Sequence, residues 1–378
     1  METRTRDKQV LRLLFAETAY SEEDLHVALD GLDIDQEKTD FLLPLALLGI
    51  RHNWAYFPAS LKPRLEGIYQ AARLRNMVGI PWLKTQLDGL RSVGIPVMFV
   101  KGMAMRSYYA PGVPREMSDF DVAVPEDRYK EAAAILMRNA GGNKPSSVSL
   151  HARHIYGQEK SIDLHHRVFK MSRKATDLVW KASVTADFQG LEVSVPSPID
   201  MFIHVVESKS RDEITGAQPG RRLKWLFDAR YLLQIIGDVD WKLISSRADE
   251  LGVRFYLTKL LPVFSDVFPD CLNAADLQLY FPKDTAFRKR ETQIEHFAEK
   301  NRLYRKKYVG QKPNRYPLTK IFSFLHWSWL RYYNYMKPDF KIGGIQTSFW
   351  GFLCESYEVE NITQLFTLFI KKAFLHRD

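Results

Sequence analysis

The sequence predicts an α+β fold, with a small mixed β-sheet core flanked by N-terminal and C-terminal helical regions. Three observations support this. Two short strand-like stretches, the apolar Val97–Val100 and the alternating Ser118–Val124, are separated by a helix-like piece and a Pro/Gly-punctuated loop. Two more strand candidates, Ser147–Tyr156 and Lys160–Phe169, follow a single intervening helix. Outside these stretches the apolar residues recur mainly at helical spacing. The order strand-helix-strand-helix-strand-strand is not the regular alternation of a doubly wound sheet.

Residues 1–93 read as a helical lead-in that packs on the core and forms one wall of its cleft. Val10, Leu11, Leu13, Leu14 and Phe15 give one apolar face, and Ser21-Glu22-Glu23-Asp24 is a capping start. Leu42–Ile50 is a short buried segment, and the run from Arg64 to Arg91 breaks near Gly79-Ile80-Pro81. The core, residues 94–195, opens at Val97. A helix begins at Pro125-Glu126-Asp127, where proline and two acids suit a first turn, and stops at Gly141-Gly142. Residues 196–280 return to helices: Pro198–Glu207, Arg221–Ile236, Trp241–Gly252 and Phe255–Phe268, with a polar, mobile loop over Asp212–Gly220. Residues 281–378 form a basic, aromatic-rich helical region. Its first part, to 317, reads as a solvated helix plus linker, and its last part carries Phe322, Phe324, Trp327, Trp329, Tyr332, Tyr333 and Tyr335.

The chemistry concentrates between Lys101 and His166. In Asp119-Phe120-Asp121-Val122, a period of two places both carboxylates on one face of a strand. Adjacent carboxylates repel unless a cation lies between them. Downstream, Ser161-Ile162-Asp163-Leu164-His165-His166 puts Asp163 and His165 on one face. If the two strands are neighbours, Asp119, Asp121 and Asp163 converge, and magnesium or manganese is the expected cofactor. Lys101, Gly102, Arg115 and Ser118 are the candidates for phosphate contact. Gly102 would let a triphosphate approach backbone amides at a helix start. His151, His154, His165 and His166 are split between strand faces, which favours structural histidines over a zinc site, with His165 the one on the Asp163 face. Lys224 and Asp228 are four apart on an apolar helix and face the same way, as an ion pair or as a grip on a nucleotide.

This pattern of Lys101-Gly102, a helix, Arg115, Asp119-x-Asp121 and a later Asp163 strand resembles the nucleotidyltransferase superfamily typified by DNA polymerase beta. It is most similar to a branch of largely uncharacterised bacterial nucleotidyltransferases in which Lys-Gly stands where most relatives have Gly-Ser. The resemblance carries motifs from Val97 to Val168 and extends loosely to Gly252. It implies a polymerase beta-like core, a helical region closing over the nucleotide, and carboxylates that hold metal. Asp163 would lie beside the incoming hydroxyl, and related proteins make a sugar-related acceptor plausible. No serine follows Gly102, a departure from the commonest motif for which Ser118 would compensate.

The net charge of +9 and pI near 9.3 favour anionic partners. The partners expected are a nucleoside triphosphate and an unidentified acceptor: a small molecule, a sugar phosphate, a protein or tRNA. Nucleic-acid binding is less favoured, because no compact basic-aromatic motif of an RNA module is present. Cys271 and Cys354 make neither a metal cluster nor a disulfide framework. With no signal-like N-terminus and no membrane-length apolar run, the expected location is cytoplasmic, with peripheral membrane contact an option for the C-terminal aromatics. The reading is therefore a magnesium-dependent nucleotidyltransferase. The alternative is a non-catalytic nucleotide-binding regulator or an RNA-binding protein on the same fold.

Overall fold

The computed structural model describes residues 4–308 except 17–19, 38, 116, 118, 141–146, 150–151, 158–159, 170–171, 189 and 216–222, together with parts of 325–374. Ser118 and His151 lie outside the described residues. The first five helices are α1 Thr5–Phe15, α2 Glu22–Leu29, α3 Thr39–Arg51, α4 Lys62–Met77 and α5 Ile80–Arg91. The predicted capping start is formed: the Ser21 hydroxyl accepts from the Asp24 amide and the Asp24 carboxylate accepts from the Ser21 amide. Gly79, at φ +80°, makes the break between α4 and α5.

Seven strands form one mixed sheet: β1 Met98–Phe99, β2 Phe120–Ala123, β3 Ser147–Ser149, β4 Ala152–Tyr156, β5 Ser161–His165, β6 Val184–Phe188 and β7 Leu191–Val195. Their order is β3-β4-β5-β2-β1-β7-β6. β2 runs parallel to β5 and antiparallel to β1, which in turn lies parallel to β7. Helix α6 (Lys101–Tyr108) joins β1 to β2, α7 (Tyr129–Asn139) joins β2 to β3, and α8 (Arg173–Lys181) joins β5 to β6.

The sheet is larger than the sequence reading allowed. The Ser147–Tyr156 candidate is two antiparallel strands, β3 and β4, rather than one. The β6–β7 hairpin was missed, although Leu191, Val193 and Val195 alternate with polar residues. Its turn holds Gly190 at φ +80°. β7 covers the outer edge of β1, so the two-residue strand that leads into Lys101 is paired on both sides and is not an edge.

The helices that follow are α9 Pro198–Thr215, α10 Lys224–Ile236, α11 Trp241–Glu250, α12 Arg254–Val267, α13 Ala274–Tyr280 and α14 Thr285–Tyr308. α9 continues past its predicted end at Glu207, so Asp212–Thr215 is helix and not loop. Glu207–Arg211 and Lys209–Glu213 pair across one turn and make the polar stretch a good helix. α14 is not merely solvated: Phe287, Ile294 and Phe297 are buried on it, and it packs on α9. The N-terminal helices dock on the helical side of the molecule. Arg12 donates to the carbonyls of Asp266 and Val267, and Phe15 packs on Phe227 and Phe268. Near the C-terminus Tyr332 is buried against Phe349 and Phe352. Among the described residues no helix is long and apolar enough to cross a membrane.

Candidate active site

The parallel register of β2 and β5 builds the floor of the site. Asp121 lies opposite Asp163, and Ala123 opposite His165. With side chains alternating along each strand, Asp121, Asp163 and His165 emerge on one face. All three are buried, at 5%, 5% and 2% exposure, and their ligand atoms lie within 4.8 Å of one another. His165 Nε2 is 3.1 Å from Asp121 Oδ1. Lys101, the first residue after β1 and its flanking Val100, reaches into this cluster: Nζ is 2.5 Å from the same Asp121 oxygen and 3.3 Å from His165 Nε2. On the far side, β4 places His154 opposite Asp163, and His154 Nδ1 is hydrogen-bonded to Asp163 Oδ1.

The two carboxyls differ electrostatically. Burial pushes Asp121 toward the neutral acid, but Lys101 and His165 outweigh it and hold the carboxyl below the usual range. Asp163 is pushed up to about 6, first by burial and then by the charges of Asp121 and Asp119. Burial opposes the charge on Lys101 as well, yet Asp121, Asp163 and Asp119 together hold the ammonium in its charged form. The floor carries more negative charge than Lys101 cancels. Two carboxylates and an imidazole this close are a donor set that suits a divalent cation.

Facing the floor is a wall built by α9 and α10. A cleft of about 180 Å³ lies between them, with Lys101, Asp119 and Asp121 on one side and Ser208, Lys209 and Lys224 on the other. Among the described residues, none of the N-terminal helices lines this cleft. Those helices contribute instead to a small neighbouring cavity, where Leu43, Pro44 and Leu47 of α3 meet Tyr109 and Phe227.

Arg115 belongs to the wall rather than the floor. It clasps Asp228 of α10 with Nε 3.2 and 3.1 Å from the two oxygens and Nη2 2.7 Å from Oδ2. The Tyr109 hydroxyl donates to Asp228 as well. Asp228 therefore pairs with Arg115, an arrangement its spacing from Lys224 did not reveal. The guanidinium also fills the space beside Gly102, where a Cβ would lie 2.4 Å from Arg115 Nη1 and 3.2 Å from Met117 Cγ. In this structure the absent side chain at Gly102 makes room for Arg115.

Of the residues singled out from sequence, the fold brings together Lys101, Asp121, Asp163 and His165. Asp119, one residue before β2, lines the same cleft without joining the tight cluster. His166 packs on the Tyr129 ring and is kept neutral, down to about 3, by burial and the charges of Arg167 and His165.

Residues 40–269 match the family described as "Uncharacterised nucleotidyltransferase". The chain belongs to that family. It is a nucleotidyltransferase with an α+β core, and its family implies a nucleoside triphosphate as substrate. No curated protein matches the chain. Among solved structures it is similar to ANT(2″)-Ia in complex with adenylyl-2″-tobramycin, at 12% identity and a TM-score of 0.34, over 47% of this chain and 98% of the other. A nucleotidyltransferase-like protein from Paracoccidioides brasiliensis shows 14% identity and a TM-score of 0.34, over 54% and 92%.

The place of His154 on Asp163 and the partner of Asp228 escaped the sequence reading. His154 was grouped with the structural histidines, and only the antiparallel pairing of β4 with β5 puts it on Asp163. Asp228 was noticed through its spacing from Lys224. Its partner comes from a loop more than a hundred residues earlier, which helical spacing does not report.

Proposed function

We propose that this protein transfers a nucleoside monophosphate from a nucleoside triphosphate to an acceptor group, releasing pyrophosphate. The observation that carries the proposal is the register pairing of Asp121 with Asp163, beside a cleft that Asp119 and Asp121 line together with Lys101, Lys209 and Lys224. Asp121 and Asp163, with Asp119 lining the same cleft and His165 beside them, would hold magnesium or manganese. When bound, that ion would neutralise charge developing on the phosphate and on the oxygens exchanging at phosphorus.

The chain's own residues do the remaining work by placement, because phosphoryl chemistry asks little covalent participation of a protein. Lys101 presents an ammonium to the transferred group. Lys209 and Lys224 draw the triphosphate against α9 and α10. Asp163 receives or steers the proton of the attacking hydroxyl, and His154 fixes the orientation of that carboxyl through Nδ1. Gly102 and Arg115 shape the base of the triphosphate pocket, with Ser118 nearby in sequence as a further phosphate contact. The acceptor is unidentified: a sugar-related hydroxyl comes first among the classes to screen, with other small molecules, proteins and tRNA ends after it.

The test is pyrophosphate release from each of the four common nucleoside triphosphates, with magnesium and then manganese, against a panel of hydroxyl-bearing acceptors. Mass spectrometry identifies the group added. Metal-dependent release that disappears in Asp121→Asn establishes transfer. Failure of any nucleoside triphosphate to bind in the presence of metal refutes it.

A further inference from the structure

We propose that, independently of the chemistry in the cleft, the C-terminal region seats this protein on an anionic lipid bilayer. One helix of that region lies in the plane of the membrane surface, with its apolar side chains among the headgroups and upper acyl chains.

The apolar face is formed by two helices. Near the C-terminus α15 (Phe349–Ser356) packs against α16 (Ile362–Phe374). Their interior side holds Phe352, Leu353 and Leu365, all buried. Elsewhere on α16, Ile362, Phe366 and Ile370 recur every four residues and so share one face of the helix. They remain 43%, 39% and 52% exposed. Trp350 of α15, also exposed, lies beside this stripe with its ring 5.8 Å from that of Phe366. A helix on a protein surface ordinarily turns its apolar residues inward and presents charge to water. α16 instead carries no charged residue before Lys371.

Charge selects the occupant of this face. Residues 1–280 contain 36 Lys and Arg against 36 Asp and Glu, whereas residues 281–378 contain 18 against 9. The whole net charge of +9 therefore belongs to the part of the chain that carries the apolar stripe. No acid occurs between Asn361 and Arg377, and Lys371 and Lys372 follow directly on Ile370 in the last turn of α16.

An apolar stripe that runs into basic residues, with a tryptophan alongside, is the composition of a helix lying at a lipid–water interface. Lysines at the end of such a stripe add electrostatic attraction to negatively charged headgroups. A second copy of this chain would bring the same excess of positive charge to the face and be repelled. Among the described residues no helix is long and apolar enough to cross a membrane, so α16 lies on the bilayer rather than through it.

The experiment is co-sedimentation of the full-length protein with two kinds of vesicle, phosphatidylcholine alone and equal parts phosphatidylcholine and phosphatidylglycerol, at low and at high salt. Wild type is compared with Phe366→Glu/Ile370→Glu, with Ile370→Glu alone, and with Lys371→Gln/Lys372→Gln. Ile370 is the most exposed residue of the stripe, so its single variant covers the case in which the double variant does not fold. Thermal melts check each protein. Binding to the anionic vesicles should exceed binding to the neutral ones and weaken with salt. It should fall by at least about tenfold in Phe366→Glu/Ile370→Glu, and by roughly tenfold in the lysine variant. Binding that the folded glutamate variants retain overturns the proposal, because charge alone would then account for it. Wild type that is dimeric by light scattering, and monomeric in Ile370→Glu, overturns it in favour of a second copy on the face. Failure to bind either vesicle also overturns it, and leaves the face to a protein partner.

Discussion

Two buried cation–carboxylate pairs face each other across the cleft, and they are built on opposite plans. On the helical wall Arg115 and Asp228 form a closed unit. The guanidinium makes three contacts with one carboxylate, whose remaining demand is met by the Tyr109 hydroxyl. One positive charge meets one negative charge: burial opposes the charge on Arg115, but Asp228 outweighs it and holds the guanidinium charged. On the sheet floor Lys101 meets Asp121, but Asp163 and Asp119 also act on it. That pair is left with unbalanced negative charge and with a carboxyl, Asp163, pushed up to about 6 by burial and its acidic neighbours. The difference separates two arrangements that a list of salt bridges does not: a neutralised pair holds a helix to a loop, and an under-neutralised one leaves negative charge that a cationic ligand would balance.

The largest effect that would sharpen this contrast is on turnover. Asp121→Asn removes the floor's central charge while keeping its shape, and should lower kcat by roughly 10³-fold, with nucleotide-dependent pyrophosphate release as the measurement. A loss under about tenfold would place the chemistry elsewhere. The matching substitution on the wall, Asp228→Ala, strands a buried guanidinium and should cost about 3–5 kcal/mol of stability, read from the urea midpoint at unchanged m-value. If instead Asp228→Ala melts normally and only activity falls, the wall pair is part of the ligand site and the contrast fails.

How far these two pairs could be read from sequence follows from how each is made. The floor was legible because its parts are local: the period of two in Asp119-Phe120-Asp121, the same period in Asp163-Leu164-His165, and a lysine directly after a strand. What remained was one long-range fact, that β2 and β5 lie side by side in parallel with Asp121 opposite Asp163. The wall was hardly legible. Arg115 sits in a loop and Asp228 on a distant helix, and neither position carries a periodic signal that names its partner. The same reason hid the β6–β7 hairpin, whose alternation is visible but whose value lies in covering β1. It also hid His154, which owes its place to an antiparallel neighbour.

Gly102 lies between the two pairs and tests to which of them it belongs. From sequence it is a phosphate-approach glycine; in the structure a Cβ there would press on the Arg115 guanidinium. Gly102→Ala should therefore behave as a packing defect of the wall, costing about 1–3 kcal/mol. Its effect should be strongly non-additive with Asp228→Ala in a double-mutant cycle, because both act on Arg115. Additive effects combined with a selective loss of nucleotide affinity would return Gly102 to the triphosphate.

The smallest effect concerns the start of α10. Lys224 opens α10 one turn before Asp228, on the same helical face, and lines the cleft opposite Asp121. At that position its ammonium adds to the partial positive charge of a helix N-terminus, a combination that attracts phosphate without needing to change during the reaction. An interaction equally strong before and during transfer contributes to binding and not to the barrier. Lys224→Met should thus raise KM for the nucleoside triphosphate by about tenfold, equivalent to about 1.4 kcal/mol, and leave kcat within about twofold. A fall in kcat at unchanged KM would mean that Lys224 acts on the transition state, and that the helical wall shares the chemistry with the floor.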